Sequence, residues 1–226
     1  MGLSTTDLGT GGSGLAKTIA PGNHLLKLNG IQLEDYQFIP GAVHLIMNVE
    51  TEPIEGFEGF LIDKDNPEAG HYAGQIGRVK ASQYAFADGE TKSGIKIQRD
   101  RSIMIFLQNL CKSLGINSWF LEQDNVHDTV EELVAAFNKT APFKDKYLNF
   151  CVAGKEYVGK TGYTNYDMYL PKADKGRYAY GEDEDKVVVY VEATHLKKAE
   201  IKEVKNFGDD DDFSTSSKTS SDFSLD

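Results

Sequence analysis

The chain has 226 residues, with 24 Lys and Arg against 35 Asp and Glu, and a formal net charge of −11. Its hydrophobic content of 40% is enough to bury a sizeable core, which excludes a wholly disordered protein. No stretch approaches the roughly 18 to 20 apolar residues of a membrane span, and the first residues lack the pattern of a secretory leader. We therefore expect a soluble, cytoplasmic protein.

The chain shows no local motif for catalysis or metal binding. Cys111 and Cys151 each lie inside an apolar run, which is typical of buried free thiols. Two cysteines are too few for a cysteine-based zinc site, and the five histidines show no short ligand spacing. No nucleophile motif is present. We predict a protein that is not an enzyme and needs no metal or cofactor.

The N-terminal half has the pattern of short strands. Residues 1–18 are rich in Gly, Ser and Thr and are expected to be flexible, so the folded domain is predicted over 19–206. The apolar runs HLLKLNGIQLED and AVHLIMNVET flank the turn residues Pro40 and Gly41, which predicts adjacent antiparallel strands. One or two further strands are predicted within HYAGQIGRVKASQYAFA.

The hydrophobic period then changes to that of helices. One helix is predicted in DRSIMIFLQNLCKSLG, with Asp100 as N-cap and Gly115 after its end. A second is predicted in HDTVEELVAAFN, where Asp128 and Glu131 are spaced like a capping box. Together they predict a two-helix insertion at about 100–140.

After Pro142 the chain returns to strand patterns. Strands are predicted in KYLNFCVAGKEYV, in GYTNYDMYLP and in the valine-rich KVVVYVEATHL. The order of strands, helices and strands favours a mainly β (α+β) fold: an antiparallel barrel or sandwich with a helical insertion.

The end of the sequence differs in composition from the rest. Residues 208–226 contain six Asp, one Lys and few apolar side chains, for a net charge of −5. Such a segment buries too little apolar surface to offset its ordering entropy. We expect a disordered acidic tail over 207–226.

The stretch GKEYVGKT, from Gly154 to Thr161, fits the letters of a nucleotide-binding P-loop. A working P-loop opens a helix, whereas the following GYTNYDMYLPK alternates and ends at Pro171, as a strand does. We therefore interpret the stretch as a connection between two strands, with Lys155 and Lys160 available for backbone phosphates. A P-loop nucleotide hydrolase is the least favoured alternative.

Two stretches of this acidic chain are locally basic and rich in aromatic residues. Residues 74–112 hold seven Lys and Arg against three acidic residues, and residues 139–178 hold eight against four together with six of the eleven tyrosines. Cations that follow phosphates and rings that stack on bases are what single-stranded nucleic acid binding needs. The alternative is that the tyrosines are half-buried packing and the lysines a solvated face. The candidate DNA-binding residues are Arg78, Lys80, Tyr84, Phe86, Lys96, Arg99, Lys155, Tyr157, Lys160, Tyr163, Tyr166, Tyr169, Lys172 and Arg177.

In these features the sequence resembles phage-encoded single-stranded DNA-binding proteins of the OB-fold type. The resemblance rests on APGNHLLKLNGIQLEDYQFIPGAVHLIMNVET, YAGQIGRVKASQYAF, SIMIFLQNLCKSLG, the late strands and the acidic tail. It implies an OB-fold-like barrel whose groove holds single-stranded DNA during replication or recombination in the host cytoplasm, without catalysis.

The resemblance also implies that the tail recruits replication or recombination proteins. An acidic segment with an aromatic residue can compete for a basic groove or dock its ring on a partner. Thirteen residues follow Phe213, so either Phe213 or Phe223 could be the docking residue. The alternative function is a virion-associated or scaffold protein that binds no nucleic acid. The tail residues concerned are Asp209, Asp210, Asp211, Asp212, Phe213, Asp222 and Phe223.

Overall fold

The computed structural model describes residues 18–53, 59–61, 71–159 and 164–199. The flexible N-terminal segment predicted over 1–18 therefore lies, except for Thr18, outside the described residues. The same holds for two candidate DNA contacts, Lys160 and Tyr163, and for the whole acidic tail.

The described chain is a mixed α and β structure. Its strands are β1 (Gly22–Asp35), β2 (Val43–Thr51), β3 (Gly59–Leu61), β4 (His71–Ala73), β5 (Ile76–Lys80), β6 (Gly89–Glu90), β7 (Lys96–Ile97), β8 (Tyr147–Val158), β9 (Thr164–Tyr169), β10 (Tyr180–Gly181) and β11 (Leu196–Lys197). Its helices are α1 (Arg99–Ser113), α2 (Asn117–Glu122), α3 (Val130–Thr140) and α4 (Glu192–His195), with a 3₁₀ turn over Glu184–Lys186.

Five strands form a ring in the order β1, β2, β5, β9, β8 and back to β1. The ring closes because β1 is long: its first residues pair with β8 and its later residues with β2. Four of the five ring contacts are antiparallel, as predicted. The fifth is parallel and short, with Val79 opposite Met168 and Lys80 opposite Tyr169. The strand pairs β3–β4 and β6–β7 lie outside the ring.

Strand β1 pairs with both β2 and β8, and it bends at a bulge between Leu28 and Gly30. Gly30 has φ +149°, a backbone conformation that side chains with a Cβ rarely adopt. The side chain of Asn138 from α3 fills the bulge: it accepts a hydrogen bond from the Ile31 amide and donates one to the Ile31 carbonyl. This contact fastens α3 to the ring.

The predicted helical insertion lies between β5 and β8, but it contains three helices and not two. The predicted apolar face of α1 is buried through Ile103, Leu107, Leu110 and Cys111, together with ring residues in one core. The unpredicted α2 has six residues, too few for a hydrophobic period to show in the sequence.

The helix ends were only partly predicted. Gly115 has the positive φ expected of a residue after α1, but the N-cap position is Gln98, so Asp100 lies inside the first turn. The N-cap of α3 is Thr129, whose hydroxyl accepts from the Glu132 amide, so the predicted capping box is displaced by one residue.

The valine-rich run was predicted to be a strand, and this was wrong for most of its length. Val187 and Val188 are buried beside Cys151, but the residues that follow are irregular until α4 and β11. The reason is that both edges of β8 are already paired: β1 and β10 lie on opposite sides of Phe150, and β9 and β11 lie on opposite sides of Gly154. The Asn23 side chain instead donates to the Val188 carbonyl and accepts from the Tyr190 amide. In the described ranges no helix is long and apolar enough to cross a membrane.

Candidate functional site

A groove of about 930 Å³ opens between β5 and the hairpin of β8 and β9. It exists because the β5–β9 ladder has only two residue pairs, so the two strands separate beyond them. We call it the central groove. Its charged and aromatic lining residues include Glu34, Arg78, Lys80, Lys155, Tyr157, Tyr166 and Asp167.

The alternation of strand side chains places the cations in this groove. In β5 the buried Gly77 and Val79 alternate with the outward-facing Arg78 and Lys80. Gly77 has no room for a side chain, since a Cβ there would lie 2.6 Å from the Ile19 side chain. The sequence thus predicted five candidate contacts that the structure brings together: Arg78, Lys80, Lys155, Tyr157 and Tyr166.

Two of the three central cations are paired with carboxylates of the same groove. Arg78 forms an ion pair with Glu34, and the Lys80 ammonium lies 2.7 Å from an Asp167 carboxylate oxygen. Lys155 has no ion-pair partner among the described residues. Lys155 is therefore the cation that an anion in the groove can contact directly. Arg78 and Lys80 can contact an anion only after it displaces their carboxylate partners.

The two tyrosines of the groove differ in the exposed fraction of their side chains. Tyr157 is 49% exposed, whereas Tyr166 is half-buried and packs against the core. Tyr157 therefore offers the larger face for stacking.

The loop between β1 and β2 adds an aromatic surface that the sequence reasoning missed. The rings of Phe38 and His44 both lie edge-on to Tyr36, with centroids 5.4 and 5.0 Å from it, and Phe38 is 81% exposed. Burial, followed by the charge of Lys80, lowers the pKa of His44, so the ring is neutral at pH 7. The sequence YQFIPG was interpreted only as a turn. The sequence did indicate this surface. Turns are dominated by Gly, Pro, Asn, Asp and Ser, whereas YQFIPG also contains two aromatic residues, which the turn itself does not require.

A second groove, of about 750 Å³, is built mainly by the chain that follows β9. We call it the distal groove. Tyr169 lies in its lining with only 8% of its surface exposed, and burial raises the pKa of its hydroxyl. The cations of the lining are Lys172, Lys175, Arg177 and Lys197. The predicted contacts Lys172, Arg177 and Tyr169 therefore lie together, but outside the central groove.

The other predicted contacts that belong to the described residues line neither groove. Tyr84 is exposed, while Phe86 packs against the core after pairing with Val43. Lys96 lies in the small β6–β7 hairpin. Arg99 begins α1, where Asp100 and Glu131 both form ion pairs with it. Its charge is therefore already compensated.

The first five P-loop letters, from Gly154 to Val158, lie in strand β8 of a β-hairpin. Strand β8 continues through Gly154 to Val158, and β9 begins at Thr164 and runs antiparallel to it, where a P-loop would open a helix. The interpretation of the stretch as a connection between two strands was therefore wrong for Gly154 to Val158, and Lys160 and Thr161 lie outside the described residues. Gly154 has a packing role, because a Cβ there would lie 2.4 Å from the Pro21 ring.

Among the described residues no group of three or more His, Cys, Asp or Glu side chains could hold a metal ion. No protein-family model, curated protein or solved structure matches this chain.

Proposed function

We propose that this chain is a non-catalytic single-stranded DNA-binding protein with an OB-fold-like ring. The observation that carries the proposal is the position of the central groove. OB-folds are five-stranded barrels that bind oligonucleotides on the face of their second and third strands and with the adjoining loops. The second and third ring strands here are β2 and β5, which contribute Ile46, Arg78 and Lys80 to the groove.

The chemistry of the groove fits a nucleic acid strand. Lys155, and Arg78 and Lys80 once released from their carboxylates, would follow the phosphates. Tyr157 would stack on a base in the groove, and the exposed Phe38, which is not part of its lining, on a base outside it; each such contact is worth about 1 to 3 kcal/mol. Because every base has a flat face, this mode tolerates any sequence.

In the same proposal the protein coats exposed DNA during phage replication or recombination in the host cytoplasm. The acidic residues 207–226 would recruit other proteins of that process through Phe213 or Phe223. The chain needs no cofactor for this role.

A titration of the full chain with fluorescently labelled poly-dT, at two salt concentrations, tests the proposal. We expect binding that weakens steeply as salt rises, and a loss of about 1 to 3 kcal/mol of binding free energy in Tyr157→Ala. Tyr178→Ala is the matched control, since Tyr178 is exposed but lines neither groove. A chain that binds no oligonucleotide at low salt but copurifies with capsids would instead be the virion-associated protein.

A further inference from the structure

The distal groove has a larger net positive charge than the central groove. Lys172, Lys175, Arg177 and Lys197 line it together with one carboxylate, Asp174. Within the described ranges none of the four cations forms an ion pair. In the central groove, by contrast, both lining carboxylates neutralise a lining cation.

Backbone geometry holds these cations at the groove. Lys175 and Gly176 both have positive φ, and the amides and carbonyls of Asp174 and Arg177 bond each other across the tight turn between them. Lys197 comes from β11, which pairs with β8. Two segments therefore supply the four charges: residues 172–177 and strand β11.

The two grooves lie on one face of the β8–β9 hairpin. Ala153 and Tyr169 are paired and line the distal groove, while Lys155 and Asp167 are the next pair on the same side and line the central one. Lys197 is the register partner of Lys155, so the two lysines stand on neighbouring strands about 4.8 Å apart. A bound strand can pass from one groove to the other without leaving the protein surface.

We infer that the distal groove binds the phosphate backbone of the same DNA strand whose bases stack in the central groove. This inference rests on the proposed function. The distal lining contains cations, valines and two rings. Tyr169 is nearly buried, and His195 is half-buried with its Nδ1 accepting a hydrogen bond from the Val191 amide, so the groove suits phosphates and sugars better than stacked bases. The larger share of the salt-dependent affinity is thus assigned to the distal groove, and stacking to the central one.

The test compares two double variants of the full chain in titrations with poly-dT over a range of salt concentrations. Lys172→Gln with Arg177→Gln removes two distal cations. Lys112→Gln with Lys144→Gln changes the net charge equally at exposed positions that line neither groove. We expect the slope of log K against log salt to shrink by about 1.4 in the distal variant, at about 0.7 per phosphate contact on a single strand. The control should keep its slope.

The possible failures are distinct. No oligonucleotide binding by the unaltered chain would overturn the proposed function itself. Binding with the same slope in both variants would overturn only the assignment of phosphates to the distal groove. Lys197→Gln supplies an independent check, with an expected slope change of about 0.7. If the distal variant keeps its slope but no longer binds a synthetic peptide of residues 208–226, the groove holds an acidic peptide and the inference fails.

Discussion

Glu34 and Asp167 control how many cations of the central groove are available to a ligand. We predict that Glu34→Gln and Asp167→Asn each raise the affinity for single-stranded DNA by about 1.4-fold to fivefold. The reason is that phosphate no longer has to break an ion pair, and an exposed pair is worth about 0.2 to 1 kcal/mol. Equilibrium titration at low salt measures the change.

Glu131→Gln is the matched control for these two variants. It removes one negative charge and frees Arg99 from one partner, but outside both grooves. An equal gain in affinity from this control would mean that net charge alone, and not the local ion pair, governs binding.

The two thiols are inert for a physical reason. Cys111 and Cys151 are fully buried, and burial raises the pKa of each thiol to about 12. The reactive thiolate is therefore nearly absent at pH 8. We expect no reaction with a thiol reagent such as DTNB in the native protein and two equivalents after denaturation. Rapid reaction of either thiol before unfolding would contradict the packing described around it.

His24 makes stability depend on pH in the acidic range. Burial lowers its pKa in the folded state, so below about pH 6.5 the unfolded chain binds more protons than the folded one. Stability is complete above that pH and falls by up to about 1.4 kcal/mol per unit as the pH drops towards the folded pKa. Urea unfolding between pH 7.5 and 5 should show this loss, and His24→Gln should reduce its slope. An unchanged slope in the variant would assign the loss to other groups.

At the scale of elements, periodic segments were predictable and short ones were not. The hairpin of β1 and β2 and the helix α1 follow from hydrophobic patterns that span many residues. The valine run failed because strand propensity does not reveal whether a neighbouring strand has a free edge. The parallel β5–β9 contact was also out of reach, since it joins residues almost ninety positions apart.

Asn138 is the side chain that joins the helical insertion to the ring. In Asn138→Ala the amide and the carbonyl of Ile31 both lose their side-chain partner at the bulge of β1. We predict a loss of about 1 kcal/mol of unfolding free energy, because two part-buried hydrogen bonds are removed and water can replace only part of them. Denaturant unfolding measures it, with the exposed neighbour Lys139→Ala as control. Equal stability of the two variants would show that the bulge holds α3 without this contact.

At the scale of the whole molecule, composition predicted the site better than individual residues did. The two basic and aromatic stretches supply β5, β8, β9 and the chain after β9, and so both grooves. What composition could not predict is which cations are compensated. Glu34 lies more than forty residues from Arg78, and their pairing depends on the closure of the ring.

The acidic residues 208–226 are expected to lower the affinity of the whole chain for single-stranded DNA. Because their net charge is −5, we expect them to compete for the same cations that would hold DNA in the proposed function. We expect a full-length variant with all six of their Asp residues changed to Asn to bind poly-dT more tightly than the unaltered chain. The gain should shrink as salt screens the competing charges.

Two further variants distinguish the effect of the negative charge of residues 208–226 from the effect of contacts made by their phenylalanine rings. A chain ending at residue 207 should gain affinity as the Asp→Asn variant does, because both lose the competing charge. Phe213→Ala with Phe223→Ala keeps every charge, so its DNA affinity should not change, although it should lose proteins recruited through those rings. If the Asp→Asn variant binds poly-dT no more tightly at low salt, the acidic segment does not compete for the grooves, and its role is limited to contacts with other proteins.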